Sequence, residues 1–520
     1  MTELTHLSAS EMLVQLKSKE CSARELIEAH IRRIEAVNPI LNALVHTFFD
    51  EAMDKAAQAD NLRSKRKNVP PLLGVPITIK ESIDTAGHAS TLGLENWQSK
   101  IAVKDAVVCS LLKDAGAIVI GKTNISQMLL FHESDNPIWG PTNNPWDLSR
   151  VPGGSSGGEA AAIAAGMSPW GVGTDIGGSI RIPSAFCGVP GLKPTVDRWS
   201  NMGSNGVVLG QEVIRSQCGP MARSADDIAL LMEVLSADHF AQYDPNVSPG
   251  KLPKPSKVKT NKLRIGFYED DGFIPASDAV KRAVRESIRV FEDLGAEVVP
   301  FRPIMVEELL ETYLAALSAD GGKHMEIALG DGQIMPQLKG LWTIVRLPKV
   351  VRRLGTEVLT QLGEHRVERV LRNVRPKDVY ELWQLTKRRT EIRREIFQTW
   401  NNFKVDAIIC PAHATPALKH GQSDDFTLGG SYSMRYNFLN FPAGFVSVTK
   451  VKSSEVHRSR TTDRIEKKAG AVDAGSAGLP VGVQVVARPF REDIVLSLMS
   501  TLEANLKGDS DYPHLPVSVN

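Results

Sequence analysis

The sequence has 520 residues, enough for one large α/β domain or for roughly two to four domains of average size. With 61 basic and 60 acidic residues its formal net charge is +1, so no overall field draws it toward nucleic acid. Five cysteines without a CxxC pair predict free thiols rather than a disulfide framework or a zinc site. The sequence shows neither a secretion signal nor an apolar run of membrane-spanning length. It therefore predicts a cytoplasmic or peripheral membrane protein that is not secreted.

The predicted elements alternate between helices and short strands. Ser22-Ala-Arg-Glu25 is a capping box that begins an amphipathic helix. The apolar tract 73–79 predicts a buried strand that ends at Lys80. A helix, a glycine and a β-branched strand then follow one another in 106–120 and again in 277–299, which is typical of an α/β fold. Further predicted elements are strands in 405–409 and 481–486 and a helix over 492–506.

Two segments interrupt this pattern. Residues 244–262 are rich in Pro, Lys and Ser, which fits a domain linker and a surface loop equally well. Residues at about 450–476 are polar and predict an exposed surface loop. Because strands and helices recur on both sides, we predict one catalytic domain over 1–520.

The segment from Gly116 to Thr123 satisfies the consensus of a phosphate-binding loop. Such a loop needs a strand before its first glycine and free amides between the glycines. Here the intervening residues are Ala-Ile-Val-Ile, which predict a strand whose amides pair within a sheet. The segment therefore does not indicate a nucleotide site.

Gly153-Gly-Ser155-Ser-Gly157 satisfies the consensus of a nucleophile elbow. That elbow needs a strand leading directly into the serine, whereas a proline-broken polar loop precedes Ser155. Asp406 and His413 occur later in the chain, so composition alone leaves a Ser-His-Asp triad open as an alternative.

Two glycine–serine segments, around Ser155 and Ser179, lie between apolar strand and helix patterns. Glycines beside a serine let a substrate approach the backbone. Flexible loops are the common alternative, but they seldom occur twice in such positions. Successive amides before the second serine can hold a developing oxyanion; they are those of Ile176, Gly177, Gly178 and Ser179.

Four long blocks together resemble the amidase signature family. They are GVPITIKESID (74–84), PGGSSGGEAAAIAAG (152–166), GTDIGGSIRIPSAFCGVPGLKPT (173–195) and GPMARSADD (219–227), and the likeness continues through 478–490. The resemblance covers nearly the whole chain. It implies the amidase-signature α/β fold, a large twisted mixed β-sheet enclosed by α-helices, and hydrolysis of carboxamide bonds without a cofactor or metal.

The resemblance also implies a role for each site residue. Lys80 matches the base, Ser179 the acyl-accepting serine, and Ser155 the bridging serine, which follows a cis peptide bond in that family. The amides of 176–179 match the oxyanion donors. Leu129 matches an apolar residue whose backbone contacts the substrate in the fatty acid amide hydrolases of the family.

The chemistry agrees with these roles. A lysine that ends an apolar strand under a packed sheet is desolvated, which favours its neutral, basic form. Neutral Lys80 then takes the proton of Ser179 through Ser155 and returns it to the leaving amine. Asp175 and Arg181 flank the nucleophile, and we predict that they pair and fix its loop.

A basic and apolar segment at about 336–377 indicates the substrate. Between Lys339 and Lys377 there are ten Lys or Arg and three Glu, a net charge of +7 (10 − 3). Leu341 to Leu354 interleave aliphatic residues and Trp342 with cations, as interfacial helices on anionic lipid do. An ordinary amphipathic helix packed on the body is the alternative. The segment lies where fatty acid amide hydrolases carry a membrane-contacting cap, so we predict a membrane- or substrate-facing cap.

The favoured function is hydrolysis of lipophilic amides, such as N-acylethanolamines or primary fatty amides, through an acyl-enzyme. Peripheral membrane contact and a homodimer are further expectations, and nucleic acid is not. One alternative with the same chemistry is an amidase of small polar amides, including the glutaminase subunit of a tRNA-dependent amidotransferase. An alternative of a different class is an inactive scaffold protein.

Overall fold

The computed structural model describes residues 3–424, 426–458 and 461–514 and is built around one β-sheet. The strands are β1 Leu44–Thr47, β2 Pro76–Lys80, β3 Ile118–Thr123, β4 Trp170–Asp175, β5 Gly191–Lys193, β6 Gln217–Ala222, β7 Arg264–Phe267, β8 Glu297–Pro300, β9 Ala407–Cys410, β10 Ala443–Lys450 and β11 Pro480–Ala487. Their order is β1-β3-β2-β4-β6-β5-β10-β11-β9-β7-β8, with parallel and antiparallel pairs. The predicted mixed sheet is thus confirmed.

Both faces of this sheet are covered: six of its strands are buried at every residue, namely β2, β3, β4, β6, β9 and β11. The helices are α1 Ala9–Ser18, α2 Ala23–Leu41, α3 Phe49–Lys65, α4 Val107–Asp114, α5 Gly157–Ala164, α6 Arg181–Cys187, α7 Ala225–Val234, α8 Ala237–Phe240, α9 Asp278–Asp293, α10 Val306–Leu317, α11 Lys323–Leu329, α12 Pro336–Arg346, α13 Lys349–Gln361, α14 His365–Asn373, α15 Val379–Phe403, α16 Ser431–Leu439, α17 Arg464–Asp473 and α18 Glu492–Leu506.

Strands β2 and β4 are parallel neighbours, with Thr78 opposite Gly171 and Ile79 opposite Val172. Neighbouring parallel strands run out at the same edge of a sheet. Lys80 at the end of β2 therefore comes beside the last residues of β4, from which the second glycine–serine segment departs. The sheet register thus brings two distant parts of the sequence to one edge.

Several local predictions are confirmed. The Ser22 side chain caps α2, with Glu25 completing the capping box. The segment resembling a phosphate loop is strand β3, and Lys122 within it is buried, with its Nζ 2.6 Å from the carbonyl oxygen of Ala89. The backbone amides that would bind a phosphate therefore belong to a strand that pairs with β1 and β2.

The polar segment 450–476 is not simply the surface loop predicted from its composition. It contains α17, in which Ile465, Ala469 and Val472 are buried. These three residues lie at helical spacing, so a narrow apolar face packs on the body although the segment as a whole is polar. Residues 459 and 460 of the predicted loop lie outside the described residues.

The predicted cap segment consists of three helices, α12, α13 and α14. Leu347 and Pro348 separate α12 from α13, because proline cannot continue a helix that precedes it. The segment 244–262 has two short 3-10 turns, Pro255–Lys257 and Thr260–Lys262, and one sheet continues on both sides of it.

Candidate active site

The predicted base and the predicted bridging serine are in contact. Lys80 Nζ lies 2.7 Å from Ser155 Oγ and 2.8 Å from Thr174 Oγ1, both within hydrogen-bond distance. Lys80 comes from the end of β2, Thr174 from β4, and Ser155 from the loop that leads into α5. Lys80 and Ser155 are almost completely inaccessible, so water does not compete for this contact.

Burial sets the charge state of Lys80. It lowers the pKa of the side chain to about 7, although the carboxylate of Asp175 favours the charged form. A large fraction of Lys80 is consequently neutral near neutral pH, and neutral lysine can accept a proton.

Ser179 lies between β4 and α6 beside the Ser155 segment. The amide of Ser156 donates to the carbonyl oxygen of Ser179 at 3.2 Å, which holds the two segments together. Among the residues that the structure describes, the Ser179 hydroxyl has no hydrogen-bond partner, and it is 9% exposed. The hydroxyl is therefore available to a substrate, and in the described residues no hydrogen bond joins it to Ser155. Catalytic hydrogen bonds often tighten only when substrate is bound.

The predicted pair of Asp175 and Arg181 is present and fully buried. Arg181 Nη2 lies 3.0 Å from Asp175 Oδ1, and Arg181 Nε lies 3.0 Å from Asp175 Oδ2. Burial alone would raise the pKa of Asp175, but the charge and hydrogen bonds of Arg181 hold it far below its ordinary value. The carboxylate also accepts the amides of Gly178 and Ile180, at 2.8 and 3.1 Å. The pair thus fixes the loop on both sides of Ser179.

This contact separates Gly178 from the other three predicted oxyanion donors. Its amide donates to Asp175 Oδ1, so of the four predicted donors only those of Ile176, Gly177 and Ser179 remain as a prediction. Gly178 has φ +114°, and a Cβ there would approach Ile182 and Ser433 to less than 3 Å. Glycine is required here so that the loop can turn toward Ser179. The peptide bond between Gly154 and Ser155 is cis, as the resemblance implies.

Leu129 belongs to a separate group of apolar residues, here named the cap cluster. A Cβ on Gly154 would lie only 2.4 Å from the carbonyl oxygen of Phe131, so one member of the cluster adjoins the loop of Ser155. The cluster joins three loops to α11 and α12; it contains Leu92, Leu94, Met128, Phe131, Val207, Met325, Ala328, Leu329, Met335 and Leu338, with the partly buried Trp97, Leu129, Leu130, Val208, Ile334, Leu341 and Trp342 around it.

Comparison with known proteins agrees with this geometry. The sequence profile of the family described as Amidase matches residues 25–496. The chain belongs to the amidase signature family. It is 35% identical over 506 residues to fatty-acid amide hydrolase 1 of Sus scrofa, which covers 96% of this chain and 86% of the relative.

One of the glutamyl-tRNA(Gln) amidotransferase subunits, from Carboxydothermus hydrogenoformans, is 32% identical over 530 residues, covering 99% of this chain and all of the relative. A solved structure of a fatty acid amide hydrolase superposes with a TM-score of 0.86 at 26% identity and covers 98% of this chain and 87% of its own. As a member of the amidase signature family, the chain is an amide-hydrolysing enzyme, and its fold is that of the family.

The alternative triad of an α/β-hydrolase is not formed in this amidase. Asp406 accepts the amide of Arg264 at 2.9 Å, and His413 contacts the Thr415 backbone. Ser155 instead contacts Lys80. In the described part of the chain, no group of three or more His, Cys, Asp or Glu side chains has the arrangement of a metal site. Within the same residues, no helix is long and apolar enough to cross a bilayer.

Sequence reasoning missed several contacts of the site. Thr174 contacts Lys80, Asn437 Nδ2 donates to Asp175 Oδ1 at 2.8 Å, and the Tyr313 hydroxyl donates to the carbonyl oxygen of Ile176 at 3.1 Å. Thr174 lies within the glycine–serine segment, so its place could have been anticipated. Tyr313 and Asn437 are more than a hundred residues away, and no local pattern marks them.

We expect Gly177→Ala to lower kcat/KM at least tenfold, because the new Cβ would lie 2.5 Å from the Tyr313 hydroxyl and overpacking displaces the loop. Tyr313→Phe removes that oxygen, and the next atoms, Tyr313 Cζ and Met434 Cγ, are 3.6 and 3.7 Å away. Gly177→Ala should therefore be much better tolerated in the Tyr313→Phe background. Kinetics of the four proteins test this; equal losses in both backgrounds would contradict the geometry. Gly206→Ala, with no atom within 4 Å, is the control.

Proposed function

We propose that the enzyme cleaves amides through an acyl-enzyme on Ser179, with Lys80 as base and Ser155 as proton relay. The observation that carries the proposal is the 2.7 Å contact between Lys80 Nζ and Ser155 Oγ in a buried site. The lowered pKa of Lys80 and the free hydroxyl of Ser179 support the same roles.

The proposed reaction begins when neutral Lys80 accepts the Ser155 proton while Ser155 accepts that of Ser179. Ser179 Oγ then attacks the amide carbon, and the carbonyl oxygen becomes an oxyanion held by backbone amides. When the intermediate collapses, the C–N bond breaks, and the proton on Lys80 returns through Ser155 to the leaving nitrogen. Water repeats the sequence on the acyl-enzyme and releases the carboxylic acid.

We further propose fatty acid amides, such as N-acylethanolamines, as substrates. The cap cluster supplies an apolar surface that reaches from the Ser155 loop to α12, and its member Leu129 has φ +62°. Met128 before it has φ +56°, and two successive residues in this conformation turn the backbone sharply. The names of two similar proteins, fatty-acid amide hydrolase 1 and fatty acid amide hydrolase, support the same substrate class.

The apolar residues on the outer face of the cap belong to α13 and not to the surroundings of Trp342 in α12. Trp342 is partly buried on the cap cluster, with the Arg346 guanidinium 4.3 Å from its ring centre. Apolar residues that face outward lie one turn apart along α13 and at its C-cap, Leu362: Val350, Leu354, Val358 and Leu362 are 71%, 57%, 54% and 70% exposed. We propose that this stripe of α13 is the surface that meets lipid.

Most arginines of the cap are neutralised within the fold. Arg352 is an exception, because it is buried and donates to backbone carbonyls of Leu371 and Val374, which accept its hydrogen bonds without neutralising its charge. Other cap arginines pair with acids outside the segment: Arg346 with Glu326, Arg366 with Asp463 and Glu466, Arg369 with Glu307 and Glu311, and Arg375 with Glu381. The net charge counted along the sequence therefore overstates the attraction to anionic lipid.

We expect the Ser179→Ala variant to fold normally and to lose hydrolysis and labelling by a serine-directed fluorophosphonate. Wild-type protein should carry the label on the peptide that contains Ser179, which mass spectrometry can locate. Wild-type protein that neither reacts with the probe nor hydrolyses any amide would instead favour the inactive scaffold.

The kcat/KM of the wild type should fall about tenfold per pH unit below pH 7 and level off above about pH 8, because only neutral Lys80 accepts a proton and its pKa is about 7. Lys80→Ala should lose most of its activity, and its kcat/KM should no longer show this acidic limb, the fall below pH 7. Lys193 is a matched control, because burial lowers its pKa to about 7 as well, but among the described residues its Nζ donates only to the carbonyl oxygen of Pro194. Lys193→Met should keep the limb; if it removes the limb and Lys80→Ala does not, the assignment of the base is wrong.

Val350→Ser combined with Leu354→Ser should weaken co-sedimentation with lipid vesicles about tenfold or more, because both side chains would leave an apolar surface. Since most cap arginines are paired, added salt should weaken vesicle binding only slightly. Hydrolysis of short soluble amides should not change. The control is the double variant Val14→Ser, Val103→Ser; these two residues lie outside the cap and are 65% and 98% exposed. Equal effects of both double variants, or preference for glutamine over long-chain amides, would contradict the fatty-amide proposal.

A further inference from the structure

Three arginines, Arg215, Arg389 and Arg393, lie close together outside the catalytic contacts. Arg389 and Arg393 are one turn apart on α15, so their side chains share one face of the helix, and both are half-buried. Burial and the charges of Arg393 and Arg215 lower the pKa of Arg389 to about 10. The guanidinium group of Arg389 is therefore near enough to those of Arg215 and Arg393 to be repelled by both.

Two of these arginines lack an acid to compensate them. Among the described residues, neither Arg389 nor Arg393 makes a hydrogen bond or an ion pair, and Arg389 Nε is a buried atom without a partner. Their neighbour Arg388 differs, because it pairs with Glu308, Glu391 and Glu395. A half-buried guanidinium that gains no acceptor destabilises the fold. An oxyanion is the acceptor that matches its planar donors.

The local charge balance favours a monovalent anion. Arg215 pairs with Asp197, at 2.6 and 2.7 Å, and with Glu212 at 3.0 Å. Three guanidinium groups against two carboxylates leave one positive charge (3 − 2 = +1). A single carboxylate balances this charge and binds guanidinium through two parallel hydrogen bonds.

The cluster adjoins the catalytic edge of the sheet. Arg215 lies two residues before Gln217, which pairs with Asp175 at the end of β4. Earlier in the same loop, Val207 and Val208 belong to the cap cluster. One loop therefore connects the apolar cap cluster and Arg215 to β6, the antiparallel neighbour of the strand that leads to Ser179. In the proposed reaction, each turnover releases a carboxylate at Ser179, which follows Asp175 at the end of β4.

We propose that Arg215, Arg389 and Arg393 form a binding site for a carboxylate. Two sources supply this group: the free acid produced by hydrolysis, and an amide substrate whose amine portion carries a carboxylate. The choice of these sources rests on the proposed function, whereas the anion site does not.

Sodium hexanoate, a small soluble carboxylate, tests the site directly on the full chain. At constant ionic strength, hexanoate in place of chloride should raise the Tm of the wild type, because a ligand that binds only the folded state stabilises it. The Arg389→Gln, Arg393→Gln double variant should lose this rise, and Arg389→Gln alone should lose most of it. Arg394→Gln is the matched control, since Arg394 is exposed on the same helix.

Without hexanoate, the double variant should be at least as stable as the wild type, because it removes uncompensated half-buried charges. No rise in the wild type, the same rise in the double variant, or lower stability of the double variant in chloride would overturn the site. So would a changed oligomeric state of the double variant without any effect of hexanoate, because the arginines would then hold an acidic face of a second copy.

Kinetics distinguish the two sources. If the substrate supplies the carboxylate, the double variant should raise KM for an N-acylglycine about tenfold and leave KM for the matching N-acylethanolamide unchanged. If the product supplies it, the inhibition constant of hexanoate should rise about tenfold and the ratio of the two KM values should stay constant. If neither the ratio of the KM values nor the inhibition constant of hexanoate changes, the proposed site is wrong. A wild type that hydrolyses no fatty amide would contradict the proposed function and leave the hexanoate measurement to decide the site alone.

Discussion

The buried ion pair between Asp175 and Arg181 is the constraint on which the site depends. Arg181 also donates to Ser433 O and Asn437 Oδ1, at 3.0 and 2.6 Å, so the loop of Ser179 is tied to α16. A further bond to Gln484 ties it to β11. Removing one partner of such a pair would strand a buried charge, at a cost of about 3–5 kcal/mol. The loop of the proposed nucleophile therefore owes its position to contacts that reach from the end of β4 to α16 and β11.

Burial of a lysine is not by itself a catalytic device in this fold. Lys80 and Lys193 are both inaccessible, and burial lowers the pKa of both to about 7. Lys193 contacts a carbonyl oxygen, which cannot give up a proton, whereas Lys80 contacts two hydroxyl groups. The partner atoms thus decide which buried lysine can move a proton, and the sheet register decides the partners.

Two successive helices of the cap, α12 and α13, carry its two apolar surfaces, one buried and one exposed. Leu338 of α12 is buried in the cap cluster, while the stripe on α13 remains exposed. Because acids of the body neutralise several cap arginines, the same ion pairs that hold the cap in place reduce its positive field. In the proposed function, a cap of this kind offers a lipid surface mainly apolar area.

The sequence by itself determined the features that depend on spacing along the chain. The capping box of Ser22, the strand that replaces the apparent phosphate loop, and the pairing of Asp175 with Arg181 are all local, so a short window of residues decides them. The family blocks identified Lys80, Ser155 and Ser179 together with the cis bond, because they are long and ordered.

Only the tertiary structure decided which distant side chains meet. Tyr313 reaches Ile176 from 137 residues away, and the acids that neutralise the cap come from other helices. The composition of the polar segment did not reveal the narrow apolar face of α17, which is buried in the fold. Hydrogen bonds and ion pairs between distant residues depend on packing geometry, which spacing does not encode. Composition could therefore count the charges of the cap, but only the fold could show which of them are compensated.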